Sequence, residues 1–290
     1  MLFRCFKLFE RIDVVMCTYN SNTPYFRAVL QRISEEVPVH CFIAVDRLSS
    51  DGTVNRILEV FPEATILQSR ENLGKARKIG IDHVDTSFFI FVDSDVLLLK
   101  GWYEYVKGLM KNGVGAVACF AQDEGELNRG LAYDQTLPRL VFSSKNNVDS
   151  QRGWTYATLI RKEAVTNWEP NRTLAAGEDH ELLRQVATQG FLWVTSYFVF
   201  AKHLQPVQSY FDFYQNLWKK QKWNAAGLRY IKFTKSTPNR QLFTSLLTFW
   251  AGIKMAFLFR NAFLIPYYFV YCLASNYGYA NWRKELFLRR

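Results

Sequence analysis

The sequence has no C-x-x-C pair, only four histidines, and no uninterrupted apolar run of the ~20 residues that a membrane span needs. Its five cysteines lack the even, close spacing of a disulfide framework. Cys17, Cys41, Cys119 and Cys272 lie in apolar surroundings and read as reduced, core-filling thiols of a cytosol-facing protein. Histidines this few and scattered argue against a dedicated zinc site. The first ten residues, MLFRCFKLFE, have neither the apolar length nor the small-residue cleavage site of a signal peptide. Acidic residues are almost missing from the last third. From Lys202 onward two stand against 14 lysines and arginines, whereas the first 201 residues hold 24 acidic and 22 basic side chains. A nearly neutral body thus carries a strongly basic tail, of a kind suited to phosphates, anionic lipid or nucleic acid.

What is present is apolar material, 49% of 290 residues, enough for one large domain or two small ones. RIDVVMCTYN reads as a buried strand ending in polar residues. TPYFRAVLQRISEEV follows with apolar positions 25, 26, 29, 30 and 33, a helical spacing opened by Thr23 and Pro24. VHCFIAVD, ATILQS and SFFIFVDSDVLLL are further strands, and SSDGTVNRILEVF and LGKARKIGIDHV are helices between them. This alternation predicts an α/β fold with a mostly parallel central sheet covered on both faces. Such a sheet binds ligands beyond the carboxyl ends of its strands, where CTYN, VDR and VDSD fall. Further on, GVGAVACF is a strand, residues 122–139 form a polar excursion, and WTYATLIRKEAV is a strand leading into a helix start. AAGEDHELLRQVATQGF places a turn before a helix that ends at Gly190, and FLWVTSYFVF is the last strand.

Asp93 and Asp95 interrupt one of the most apolar stretches in the chain, FIFVDSDVLLL. Two uncompensated carboxylates at a buried strand end repel each other and lose hydration, and a divalent cation relieves both costs. Mg²⁺ or Mn²⁺ takes oxygen ligands and is usually completed by substrate phosphates and water. Residues 93 and 95 share a face if the strand stays straight. A bare D-S-D is equally a solvated strand end.

Five stretches in order carry a wider resemblance: VVMCTYN, VDRLSSDGT, NLGKARKIG, FVDSDVLL and GEDHELLRQVATQGF. Together, over roughly residues 12 to 200, they resemble the nucleotide-sugar glycosyltransferases of family 2, which have the GT-A fold and invert the anomeric carbon. The resemblance implies a GT-A catalytic domain over residues 1–204. It implies that Thr18, Tyr19 and Asn20 line a nucleotide pocket and that Asp46 accepts a hydrogen bond from the base. It places Asn72 and Lys75 near the base or diphosphate, and Asp93 at the ribose or the metal. Asp95 would hold Mn²⁺ or Mg²⁺ against the diphosphate. Asp179 would be the general base, supported by Glu178 and Arg184. The chemistry fits these types, because a leaving diphosphate needs neutralising and an attacking hydroxyl must lose its proton. An ionised phosphate acceptor would leave Asp179 only a positioning role.

Two departures stand out. Arg47 and Leu48 replace the second acidic residue and the glycine of the family's V-D-D-G-S, and NLGKARKIG is about two residues short. The Gln-x-x-Arg-Trp of processive synthases has no match, which favours transfer of a single sugar. His203, after the last strand, is a third candidate metal ligand or diphosphate contact, against a plain surface histidine. Trp154 is either a sugar platform or core. Asp51-Gly52-Thr53 reads as a turn and helix start.

Residues 205–290 form a basic, aromatic-rich helical tail. LFTSLLTFWAGIKMAFLF contains Lys254 and AFLIPYYFVYCLA contains Pro266, so an interfacial pair of helices fits better than spans. Ordinary buried packing is the alternative. The expected setting is the cytoplasmic side of the cell membrane, on an anionic surface. Lys219, Lys220, Lys222, Lys232 and Lys235 would face headgroups, beside a lipid-linked or glycan acceptor, with a homodimer left open. A nucleotidyltransferase is a rival, but CTYNSNTPY lacks a glycine- and lysine-rich phosphate loop. Nucleic-acid binding through Trp218 and Trp223 is another, disfavoured by the apolar helices after Gln241.

Overall fold

The computed structural model of the chain describes residues 11–124, 148–149, 153–174, 176–204, 209–231, 238–258 and 260–287. MLFRCFKLFE, most of the polar excursion after Gln122, Lys232 and Lys235 lie outside the described residues.

Strands β1 (Ile12–Thr18), β2 (Val39–Asp46), β3 (Thr65–Gln68) and β4 (Phe88–Val92) alternate with helices α1 (Phe26–Glu36), α2 (Thr53–Val60) and α3 (Leu73–Asp82). These four strands run parallel. The apolar runs of β1, β2 and β4 are buried because helices lie on both faces of the sheet, whereas β3 at its edge is half-buried. α1 buries Phe26, Val29, Leu30 and Ile33, the stripe expected from its spacing. α2 starts where Asp51 accepts from the Thr53 amide at 3.1 Å and from its hydroxyl at 2.5 Å. The trio Asp51-Gly52-Thr53 is indeed a turn and helix start.

The second half adds β5 (Val96–Leu98), α4 (Trp102–Leu109), β6 (Val114–Glu124), β7 (Val148–Asp149), β8 (Ala157–Arg161), α5 (Glu178–Thr188) and β9 (Leu192–Leu204). The sheet order is β3-β2-β1-β4-β8-β6-β9-β5, with β7 also on β9. β8 runs against β4 and β6, and β5 against β9, so the sheet is mostly but not wholly parallel. Thr18, Asp46 and Val92 close three neighbouring strands at one edge, the carboxyl edge read from the sequence. The pairing of β5 with β9 sets Val96 opposite His203. This brings the last strand's histidine to the aspartate turn.

Asp13, 1% exposed, locks the opposite end of β1. Its carboxylate accepts from the amides of Asp85 at 2.7 Å, Thr86 at 3.0 Å and Cys41 at 3.2 Å, and His40 Nδ1 lies 2.9 Å away. Burial pushes this carboxyl up, but the Thr86 and Asp85 amides and His40 outweigh it and hold it below the usual range. Asp13→Ala leaves those amides unpaired and should cost roughly 2–4 kcal/mol in urea unfolding at neutral pH. A lowered folded pKa stabilises above the unfolded value. The gap between wild type and variant should therefore narrow as pH falls below about 4.

Beyond Leu204 the described residues form helices α6 (Tyr210–Ile231), α7 (Pro238–Leu258), α8 (Leu264–Ala280) and α9 (Trp282–Phe287). These helices bury a cluster of their own that includes Phe213, Leu217, Met255, Tyr267 and Tyr268. α6 also seats on the loop before α5, where a side chain at Gly227 would strike the Ala176 carbonyl. Pro266 falls in the first turn of α8, where its missing N–H costs nothing. No described helix is long and apolar enough to cross a membrane.

Candidate active site

The aspartate pair does not lie on a straight strand. β4 stops at Val92, the Asp93 amide donates to the Tyr156 carbonyl at 2.9 Å, and Val96 N–H returns to Asp93 O at 3.1 Å. The turn at Ser94 parts the two carboxylates. Asp93 Oδ1 accepts from Arg77 Nη2 at 3.1 Å, whereas Asp95 Oδ2 lies 3.0 Å from His203 Nε2. Burial pushes the Asp95 carboxyl up, but His203, with Lys220 of α6 assisting, holds it below the usual range.

Arg77 is the residue that sequence reasoning missed. It is 2% exposed, donates through Nη1 to Glu178 Oε1 at 2.6 Å, and joins that carboxylate to Asp93. One buried cation therefore ties the strand end of β4 to the first turn of α5. Burial works against the guanidinium charge, but Asp93 and Glu178 overcome it and hold the proton more firmly than in water. Burial also pushes the Glu178 carboxyl up, with Arg77 opposing and Asp179 adding to the rise. Cys17 borders the same group, and burial pushes its thiol up to about 12, so it stays neutral core filling.

Asp179 follows at the α5 N-terminus, with Oδ1 accepting from the His180 amide at 2.9 Å. The segment 153–156 runs from it to the aspartate turn. Gly153 packs so closely that an added Cβ would lie 2.9 Å from Asp179 O. Trp154 stacks on Tyr156 at 5.8 Å, and Tyr156 on His203 at 6.5 Å. Trp154 also meets Phe120 edge-on at 5.8 Å and keeps partial exposure. The ring is thus packed into an aromatic ladder that reaches His203.

At the β1–β2 edge the expected nucleotide residues divide into frame and rim. Asp46 is 1% exposed and accepts from Thr18 Oγ1 at 2.8 Å, Ser49 Oγ at 2.6 Å and Ser49 N at 2.8 Å. The carboxylate braces the two strand ends. Thr18 is its partner. Asn20, at φ 47°, accepts from Ser50 N at 3.0 Å and shapes the turn. Tyr19 stands out from this frame, 61% exposed, with the Arg47 guanidinium 5.6 Å from its ring centroid. Leu48, at φ 55°, occupies the left-handed conformation for which the family pattern has glycine.

Asn72 and Lys75 hold neighbouring segments together. Asn72 caps α3 by accepting from Lys75 N at 2.9 Å and donates to the carbonyls of Asn171 at 2.9 Å and Leu174 at 3.0 Å. Lys75 pairs with Glu169 at 2.9 Å. Both tie α3 to the 169–174 segment. Arg184 points outward, lining with Trp168, Glu181 and Tyr230 a separate cleft of about 580 Å³. It does not support the Arg77 group. Among the tail lysines, Lys220 lends charge to Asp95, Lys222 pairs with Glu285 at 2.9 Å, and Lys219 lies 5.0 Å from the Trp223 ring centroid.

Among the described residues no three His, Cys, Asp or Glu side chains converge as a closed metal cage. Asp95 and His203 nevertheless lie together, partly open to solvent. That set fits Mn²⁺ or Mg²⁺, which keep positions for phosphate oxygens and water.

Comparison with known proteins accords with this arrangement. The pattern described as Glycosyl transferase family 2 matches residues 13–166, more than half of the chain. No curated protein matches. Among solved structures, a mannosyltransferase from Pyrobaculum calidifontis in complex with GDP-Man and Mn²⁺ is 19% identical, with 97% of this chain and 88% of that one covered and a TM-score of 0.61. Glucosyl-3-phosphoglycerate synthase from Mycobacterium tuberculosis, solved with Mn²⁺, UDP and glucosyl-3-phosphoglycerate, is 18% identical, with coverage of 76% and 79% and a TM-score of 0.54. The same synthase solved with Mg²⁺ and UDP gives 17% identity, coverage of 76% and 78%, and the same TM-score of 0.54. These likenesses establish the GT-A fold. With the family pattern spanning the strand ends and the aspartate turn, the chain belongs to glycosyl transferase family 2.

Proposed function

We propose that this glycosyltransferase moves one sugar, with inversion, from a nucleotide diphosphate sugar to a lipid-linked or cell-envelope acceptor at the cytoplasmic side of the membrane. A UDP-sugar is favoured and a GDP-sugar is the second choice. The observation that carries the reading is the separation of two carboxylate centres by one buried arginine. Asp95 with His203 lies on one side and Asp179 on the other, with Arg77 holding Asp93 and Glu178 between them.

Each residue then has a distinct task. Tyr19 and Arg47 offer a ring and a cation at the rim where a base would lie, while Asp46 keeps that rim in place. Asp95 and His203 would hold Mn²⁺ or Mg²⁺. When bound, such a cation neutralises the leaving diphosphate. Lys220 adds charge of the same sign beside Asp95. Arg77 occupies Glu178 and leaves Asp179, at the helix start, as the carboxylate open to an acceptor hydroxyl. Taking that proton as the anomeric bond forms is general-base work. The Trp154 ring supplies an apolar face of the kind a sugar packs against.

Calorimetric titration with UDP and GDP, with and without Mn²⁺, tests the metal side. Asp95→Ala should abolish the Mn²⁺-dependent part of nucleotide affinity while leaving the circular dichroism spectrum unchanged. Equal metal-dependent affinity in wild type and variant would reject the assignment.

A further inference from the structure

α7 turns a stripe of large apolar side chains away from the rest of the molecule. Phe243, Leu246, Leu247, Trp250 and Phe257 follow one another at helical spacing, Trp250 62% and Phe257 77% exposed. α8 adds Ile265, Phe269 and Leu273 on an adjoining line, and the Phe249–Phe269 ring contact at 6.1 Å joins the two helices. A continuous apolar face of this extent marks an interaction surface. We infer that it docks onto an anionic phospholipid bilayer, lying in the headgroup region without crossing it. This inference rests on and deepens the membrane location proposed above, and is independent of the catalytic residues.

Charge decides the occupant. No aspartate or glutamate occurs between residues 213 and 284, while Lys254 and Arg260 are exposed on and beside the stripe. In a bilayer interface the Lys254 stem lies along the apolar face and its ammonium reaches the phosphates. In a two-fold contact with a second copy, Lys254 would be buried against apolar side chains with no acidic partner on that face. Nucleic acid offers no apolar counterpart to the stripe. The two helices present apolar side chains outward, yet no described helix is apolar enough to span. The cations that orient the protein are thus Lys254 and Arg260, in place of Lys220 and Lys222, which serve Asp95 and Glu285.

The test is co-sedimentation of the full chain with phosphatidylcholine vesicles, with and without phosphatidylglycerol. Wild type should partition onto both, more strongly when phosphatidylglycerol is present. The double variant Leu247→Glu, Trp250→Glu should bind at least about 10-fold less to either. Lys254→Glu should lose mainly the phosphatidylglycerol increment, which keeps the test valid if the double variant fails to fold. UDP–Mn²⁺ calorimetry on both variants separates a lost docking face from a lost nucleotide site. Wild type that binds neither vesicle, variants that bind like wild type, or a lipid-free dimer that Trp250→Glu dissociates would each overturn the inference.

Discussion

Arg77→Met should destabilise the protein by about 3 kcal/mol at neutral pH and remove transferase activity. The variant keeps most of the apolar stem but strands Glu178 and Asp93 without their cation. Breaking a buried ion pair from one side typically costs about 3–5 kcal/mol, because the remaining charge stays desolvated. The lower figure applies because the Asp93 side chain is 36% exposed and water screens its share. The stranded carboxylates are relieved by protonation, so the deficit should be largest near pH 7 and shrink as pH falls below about 5. Arg77→Lys keeps the charge but not the two-pronged hold and should fall between the two. Urea unfolding across pH checks all of this. A variant as stable as wild type at pH 7 would mean that the bridge is not a structural link.

Asp179→Asn should lower turnover by at least about 10²-fold while leaving nucleotide affinity nearly unchanged. Arg77 joins Asp93, beside the Asp95–His203 pair, to Glu178, the neighbour of Asp179, so Asp179 belongs to the helix end of that bridge. Matched turnover and UDP–Mn²⁺ binding measurements decide it. Retained turnover would point to an already ionised phosphate acceptor, for which Asp179 only positions. Lost nucleotide binding would move Asp179 to the metal side.

The elements and the strand-end edge were legible because period and burial agree along β1, β2 and β4. Apolar runs between capped helices leave little freedom of assignment, and Asp93 and Asp95 are conspicuous against such a background. His203 was legible only as a residue after the last strand, since its meeting with Asp95 depends on β5 folding back to pair with β9. Side-chain direction at loop and helix starts was not legible. Asn72 has the composition of a ligand contact but spends its amide as a helix cap and a cross-tie. Asp46 likewise closes on its neighbours. Arg184 follows Asp179 in sequence, yet α5 turns it outward. Arg77 did leave a signal, a lone arginine in helical register with Gly74 and Gly80 on the buried side of α3. Such a cation needs carboxylate partners, and Asp93 and Glu178 supply them.

The central claim is tested most directly by product release from purified full-length protein offered UDP- and GDP-sugars, with Mn²⁺ or with EDTA. The account predicts release of a nucleoside diphosphate from one sugar donor, dependent on the divalent cation and absent in Asp95→Ala. Release that persists in EDTA, or pyrophosphate released from a nucleoside triphosphate and sugar phosphate instead, would contradict it.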